Sequence, residues 1–239
     1  LFDKINDGRI TKESLARRLR EKYKTIADIE DMAKEKNIPI YEAFEGTHIE
    51  DELLILSPEK QYYLSLLVSS EKTALEMSSA LQHDGTLLKF LESVKDFALN
   101  ILETWDIETL RESETTSAEN ETSVILRGKV DGSGFILTGD AGIGSLNRAI
   151  DYMEKIGENI VEDISFYQVP HHGGRHNVSP SVLNRMLGEK IEKGSSRNKV
   201  AFASVAQNSS HPLKMVTNAY IRRGVTIYKT NGNVICHHN

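Results

Sequence analysis

Ser123-Val-Ile-Leu-Arg-Gly-Lys-Val-Asp-Gly-Ser-Gly-Phe-Ile-Leu-Thr-Gly-Asp140 is the stretch that decides the fold of this chain. The runs 123–130 and 135–138 are rich in β-branched and large apolar side chains, which favour strands. Between them, the sequence Asp-Gly-Ser-Gly at 131–134 has the composition of a hairpin turn. The stretch therefore predicts two strands joined by a turn, and the second strand ends just before Asp140.

Downstream of Asp140 the chain alternates between helix-like and strand-like patterns, with glycine or proline near many boundaries. The predicted elements are a helix over 145–156, a strand over 164–169, a helix over 181–192, a strand over 199–205, a helix over 212–223, and a final hairpin with strands over 225–229 and 234–236 around Asn231 and Gly232. Such alternation is typical of a layered domain, so the sequence predicts the α/β fold class.

The chain upstream of the deciding stretch begins with a helical pattern. Apolar residues over 11–34 recur at the spacing of an amphipathic helix, which predicts one helix or two short ones. The extended runs 37–41 and 52–58 predict two strands that flank Gly46.

A long helical pattern over 59–105, interrupted near 83–86, predicts a helical insertion of two helices joined by a turn. The run 111–122 is polar and acidic and has no large apolar residue, which predicts a flexible surface loop. We expect both segments to belong to a single domain that covers residues 1–239.

The composition narrows the class of protein. The 239 residues are 39% hydrophobic and 27% charged, the balance of an ordinary globular protein. The net charge of -6 argues against nucleic-acid binding through the surface as a whole. No apolar run is long enough for a membrane span, so we expect a cytoplasmic protein without a membrane partner. The single cysteine, Cys236, excludes an internal disulfide and a multi-cysteine metal site.

Polar residues follow three successive predicted strands. Asp140 follows the first, the pair His171 and His172 follows the second between a proline and two glycines, and His211 follows the third. Each alone has an ordinary structural explanation, as a helix cap or a hydrogen-bonded histidine. Together, imidazole and carboxylate groups at neighbouring strand ends predict a site for Zn²⁺, with Mn²⁺ or Fe as alternatives, that activates water for hydrolysis.

The segments LTGD at 137–140, VPHHGG at 169–174 and NSSHP at 208–212, with the closing GVTIYKTNGNVI, resemble the metallo-β-lactamase superfamily. The nearest likeness is to the branch that contains the metallohydrolase domain of DNA-uptake competence proteins, and it covers about residues 122–235. The resemblance implies an αββα sandwich with a helical insertion and a site for two Zn²⁺ ions.

By this resemblance, Asp140 bridges the two metals, His171 or His172 is a further ligand or an acid/base group, and His211 is the late histidine of the active site. Asn120 and Ser123 lie just before the strand, where that branch often carries Asn and Ser. The branch is implicated in phosphodiester hydrolysis, including the degradation of DNA.

The chain departs from the superfamily at its main signature, H-x-H-x-D-H, which is absent. His48 and His83 are isolated, with no second histidine two residues away. We therefore expect a sandwich that is incomplete at its N-terminus, with the missing part lost or carried by another polypeptide. Residues 1–239 alone are not expected to hold two metals tightly.

The sequence leaves several functions open. The first hypothesis is a metal-dependent hydrolase of a phosphodiester in nucleic acid or a nucleotide. The second is a non-catalytic subunit whose helical insertion docks partner proteins. A hydrolase of lactones or β-lactams shares the same metal chemistry.

Two basic segments have both a functional and an ordinary interpretation. The run 188–199, with Lys190, Lys193, Arg197 and Lys199, is either a phosphate contact near the cleft or a solvated loop. His237 and His238 are either ligands or a frayed terminus.

Overall fold

The computed structural model describes residues 11–70 and 102–236, and within these ranges all the strands belong to one seven-stranded sheet. The strands are β1 (His48–Ile49), β2 (Leu53–Ser57), β3 (Ile125–Val130), β4 (Ser133–Leu137), β5 (Ile164–Gln168), β6 (Lys199–Ala203) and β7 (Val225–Lys229). The helices are α1 (Lys12–Lys22), α2 (Lys24–Glu35), α3 (Lys60–Ser69), α4 (Ala118–Glu121), α5 (Ile143–Lys155), α6 (Ile160–Asp163), α7 (Pro180–Leu187) and α8 (Lys214–Arg222). The predicted α/β class is confirmed, whereas the metallo-β-lactamase sandwich stays a prediction.

The strands lie in the sheet in the same order as in the chain. Strands β1 to β4 pair antiparallel, and the tight turn at Asp131 and Gly132 joins β3 to β4. Strands β4 to β7 pair parallel, and each connection between them passes through at least one helix. Because parallel strands end at the same edge of a sheet, the residues that follow β4, β5 and β6 emerge side by side.

The core lies between one face of the sheet and a layer formed by α5, α7 and α8. In α5 the buried side chains Leu146, Ala149, Ile150 and Met153 follow the spacing of a single helix face. The same cluster contains Tyr167 of β5, which is fully buried. Helix α5 begins where Glu121 accepts hydrogen bonds from the backbone N–H groups of Gly144 at 3.2 Å and Ser145 at 2.7 Å.

Several predicted boundaries are corrected by the structure. Residues 37–41 form no strand: Pro39 lacks a backbone N–H, and the edge strand is β1, further along the chain. Residues 234–236 do not return as a strand, because the turn is held instead by the Gly232 N–H, which donates to the Val205 carbonyl at 3.0 Å. Helix α7 ends before residue 192, since Gly188 leaves the helix with a φ of 94°.

The predicted insertion and loop are described in part. Helix α3 occupies the start of the predicted helical insertion at 59–105, while 71–101 lie outside the described residues. The segment 111–122 contains α4, and its flexibility stays a prediction.

Residues 103–114 form an extended segment, here called the acidic strap, that runs along α7 and α8. Its four glutamates reach basic or hydroxyl side chains of the folded core. The contacts are Glu103 with Arg222 at 2.5 Å, Glu108 with Arg223 at 2.9 Å and Lys190 at 2.7 Å, Glu112 with Ser181 at 2.5 Å, and Glu114 with Arg175 at 2.6 Å. The strap thereby brings the chain from α8 to the edge of the sheet where the parallel strands end.

Burial raises the pKa of Glu108, but hydrogen bonds from Arg223 and Lys190 outweigh burial and lower this pKa below the ordinary value of a glutamate. We therefore expect the acidic strap to loosen in acid. A carboxyl with a lowered folded pKa adds stability above its unfolded pKa, and this is lost as pH falls through the folded value. We expect the urea midpoint to fall between about pH 5 and pH 3, and to fall less steeply in Glu108→Gln. The exposed Glu35→Gln variant should keep the wild-type slope. Equal slopes in wild type and Glu108→Gln would contradict this assignment.

Candidate functional site

The structure brings the four predicted site residues to the same edge of the sheet. Asp140 follows β4, His171 and His172 follow β5, and His211 follows β6. Asp140 Oδ1 lies 3.3 Å from His171 Nδ1, and the rings of His171 and His172 have centroids 5.8 Å apart. His211 lines the same cavity as His171. Their convergence, predicted from the strand ends, is confirmed, whereas their roles stay predictions.

Asp140 is held by a turn that is clamped from two sides. The Gln168 Oε1 accepts hydrogen bonds from the backbone N–H groups of Thr138 at 2.9 Å and Gly139 at 3.0 Å. From the other side, the amide of Asn177 donates to the Asp140 carbonyl at 2.9 Å, and Asn177 is only 1% exposed. The Asp140 N–H donates to Ser123 Oγ at 3.2 Å. Ser123 therefore helps to hold the Asp140 turn in place.

The two histidines occupy a backbone conformation that side chains with a Cβ rarely adopt. His171 has φ 45° and ψ 50°, and His172 has φ 59° and ψ 8°. A left-handed residue other than glycine costs about 1–2 kcal/mol, and such strain is concentrated at functional sites. The His171 N–H offsets part of this cost by donating to the Gly139 carbonyl at 3.0 Å. This backbone conformation places both imidazoles at the sheet edge beside Asp140.

Gly173 brings the third histidine into the site. Its φ is 88°, and a Cβ at this position would lie 2.3 Å from the Pro212 Cβ. The Gly173 carbonyl also accepts a hydrogen bond from the Leu213 N–H at 3.2 Å. Only glycine allows the loop that carries His211 to pack this closely against the turn after β5.

The nitrogen that faces Asp140 has no hydrogen-bond partner. His171 Nδ1 is buried, and its 3.3 Å contact with Asp140 Oδ1 lacks hydrogen-bond geometry. Two ligand atoms on a tetrahedral Zn²⁺ lie roughly 3.3 Å apart, given bonds of about 2.0–2.1 Å. These two atoms therefore fit two ligand positions of a divalent ion. Among residues 11–70 and 102–236, however, no three His, Cys, Asp or Glu side chains are arranged to hold a metal.

The other two imidazoles differ in their environment. Burial, and then the nearby His171 and His172, lower the pKa of His211 below 6.5, so this ring is neutral at neutral pH. His172 is exposed, and its Nδ1 contacts the Ser204 carbonyl. Because a carbonyl only accepts, Nδ1 of His172 carries the proton and Nε2 keeps its lone pair. Both rings can therefore act as nitrogen ligands or contact a substrate.

A cavity of about 310 Å³ adjoins the site and shares His171 and His211 with it. His176 also lines this cavity, and its Nδ1 lies 2.8 Å from Glu114 Oε2. Sequence reasoning missed His176, although it follows the His-His-Gly-Gly motif closely, and it missed Glu114, Gln168 and Asn177. A lone glutamate in a polar run and amides in a strand and a turn carry no signal until the chain is folded.

Other residues that the sequence singled out lie elsewhere. The run 188–199 precedes β6, whereas the site residues follow their strands, so this run lies at the opposite edge of the sheet. Its interpretation as a phosphate contact near the cleft is therefore wrong. Lys190 pairs with Glu108, and Lys199 Nζ donates to the Ile164 carbonyl at 2.6 Å. Asn120 donates to Thr116 Oγ1 at 2.6 Å beside the adjoining cavity. His237 and His238 lie outside the described residues.

Comparison of the chain with protein-family models, with curated proteins and with solved structures found no match. In the described ranges, no helix is long and apolar enough to cross a membrane.

Proposed function

We propose that this protein is a metal-dependent hydrolase that cleaves phosphodiester bonds in nucleic acids or nucleotides. The observation that carries the proposal is the contact between His171 and Asp140, in which a buried ring nitrogen without a hydrogen bond lies 3.3 Å from a carboxylate oxygen. A lone-pair donor and an anion at this distance are stabilised by a cation between them. Strained histidines and a braced carboxylate at a sheet edge also favour a functional site.

Asp140 and His171 hold the metal in this proposal, and His172 and His211 are further ligands or stabilise charge on the substrate. When bound, Zn²⁺, or otherwise Mn²⁺ or Fe, would lower the pKa of water to about 7 and would polarise a phosphoryl oxygen. The side chains of His171 and Asp140 are 40% and 48% exposed, so a substrate can reach this pair from solvent. Ser123, Gln168 and Asn177 keep the Asp140 turn in place. A dinuclear centre, a cytoplasmic location and membership of the metallo-β-lactamase superfamily belong to the same proposal.

A non-catalytic role in an assembly is the second candidate. Helix α2 exposes Ile26, Ile29 and Met32, which are 65%, 56% and 52% exposed. Large apolar side chains grouped on one exposed helix favour a protein contact. The predicted helical insertion at 59–105 was expected to have this role, and a contact through it stays a prediction.

The decisive experiment combines metal analysis with hydrolysis assays on the full-length protein. We expect bound divalent metal, and hydrolysis of bis(p-nitrophenyl) phosphate that a chelator abolishes and Zn²⁺ or Mn²⁺ restores. A carboxylic ester and a chromogenic β-lactam, assayed in parallel, separate phosphodiester hydrolysis from the small-molecule alternative. Protein that binds no metal and cleaves none of these compounds would favour the assembly role.

A further inference from the structure

Most of the residues that line the cavity beside the candidate centre have polar side chains, although carbon atoms make up more than half of its accessible wall. It measures about 310 Å³ and is reached from the centre past His171 and His211, which line both. Among the described residues that line it, Leu213 is the only large apolar one. The polar side chains among these residues offer several hydrogen-bonding partners to an oxyanion.

Within this cavity, His176 is oriented by a fixed carboxylate. Glu114 Oε2 lies 2.8 Å from His176 Nδ1, and Glu114 Oε1 lies 2.6 Å from Arg175 Nη1. The Glu114 side chain is 13% exposed and that of Arg175 4% exposed, so this pair is part of the folded core. Because Nδ1 faces the Glu114 carboxylate, Nε2 is the ring nitrogen left for a ligand. His176 itself is 38% exposed and accessible from the cavity.

Two residues that line the cavity also carry hydroxyl groups that can donate hydrogen bonds. Thr116 Oγ1 accepts a hydrogen bond from the Asn120 side chain at 2.6 Å, and Ser117 Oγ accepts from the Asn120 N–H at 3.2 Å. A hydroxyl that accepts one hydrogen bond keeps its own proton for another partner. The cavity therefore combines two hydroxyl donors with one oriented imidazole.

We propose that this cavity binds a second phosphate group of the substrate, adjacent to the phosphodiester that is cleaved. The bound phosphate contacts Nε2 of His176, the ring nitrogen that does not face Glu114, and accepts hydrogen bonds from the hydroxyls of Thr116 and Ser117. Among the described residues that line the cavity, the other charged or titratable side chains are Arg175, His171 and His211. The inference rests on the proposed hydrolase function, and it specifies the substrate as a nucleic acid strand or a nucleotide with more than one phosphate.

The test compares kcat/KM for a dithymidine phosphodiester with and without an extra terminal phosphate, using the full-length protein loaded with metal. A hydrogen bond to a charged group changes an equilibrium by about tenfold to a hundredfold. We expect the wild type to prefer the substrate with the extra phosphate by a factor in this range. His176→Ala should lower the ratio of the two kcat/KM values by about tenfold, because it removes one partner of the charged phosphate and leaves the hydroxyls of Thr116 and Ser117 in place. His48→Ala, which removes an exposed histidine of β1, should keep the wild-type ratio.

The possible results distinguish the phosphate site from the proposed hydrolase function on which it rests. The phosphate site is overturned if the wild type cleaves both substrates equally, or if His176→Ala keeps the preference. Neither result contradicts the proposed hydrolase function. If no phosphodiester is cleaved, the hydrolase proposal fails. The phosphate site is then tested separately, by titrating chelator-treated protein with inorganic phosphate and following the histidine NMR signals. Saturable shifts of the histidine NMR signals that His176→Ala abolishes support the phosphate site, and their absence in the wild type overturns it.

Discussion

Asp140→Ala is expected to lose more than about 100-fold in affinity for Zn²⁺, because replacing even the groups that support a ligand costs about 10–100-fold. Hydrolysis of phosphodiesters should fall by about 10³-fold, since the metal that activates water is then absent at working concentrations. The alanine removes the carboxylate oxygen that lies 3.3 Å from His171 Nδ1 and leaves that buried nitrogen without its neighbour. Isothermal titration with Zn²⁺ and steady-state kinetics on the same preparation measure the two losses separately.

Two further variants sharpen the interpretation of Asp140. Asp140→Asn keeps the size of the side chain but removes its charge, so it should bind metal more weakly than the wild type. Asp51→Ala removes an exposed carboxylate from the turn between β1 and β2 and should change neither quantity. Wild-type metal affinity and activity in Asp140→Ala would remove this residue from the metal centre.

Arg222→Ala is expected to destabilise the protein by about 3–5 kcal/mol, the cost of breaking a buried ion pair by removing one partner. The side chain of Arg222 is 3% exposed and that of Glu103 is 0% exposed, with 2.5 Å between Nη2 and Oε1. Arg222 also donates to the carbonyls of Trp105 at 2.9 Å and Ile107 at 3.0 Å. Its loss therefore leaves a buried carboxylate without a cation and releases the start of the acidic strap.

Thermal and urea unfolding measure this effect, and the melting temperature should fall by roughly 6–20 °C for a domain of this size. The single variant Glu103→Gln and the double variant Glu103→Gln with Arg222→Ala complete a double-mutant cycle, in which the double variant should cost less than the sum of the two single changes. Arg185→Ala is the matched control, because that arginine pairs with Asp151 at the surface and its loss should cost less than about 1 kcal/mol. A change below about 1 kcal/mol in Arg222→Ala would show that the pair is not buried in solution.

The sequence predicted most elements of the second half because local pattern and tertiary environment agree there. The runs at 123–130 and 135–138 became β3 and β4, since apolar and β-branched side chains suit strands that are buried on one face. Prediction was less successful where no local pattern decides. Residues 37–41 and 234–236 contain strand-like side chains, but neither run found a strand to pair with in the described structure.

The sequence by itself determined that Asp140, His171, His172 and His211 follow successive strands, because apolar runs and the glycines and prolines after them are local signals. Only the tertiary structure decided that these residues meet, since parallel pairing of β4, β5 and β6 is set by contacts between distant parts of the chain. The same is true of the clamp by Gln168 and Asn177 and of the contact between Glu114 and His176, which join residues far apart in sequence. A hydrogen bond between distant residues depends on how the intervening elements pack, and no local pattern records that packing.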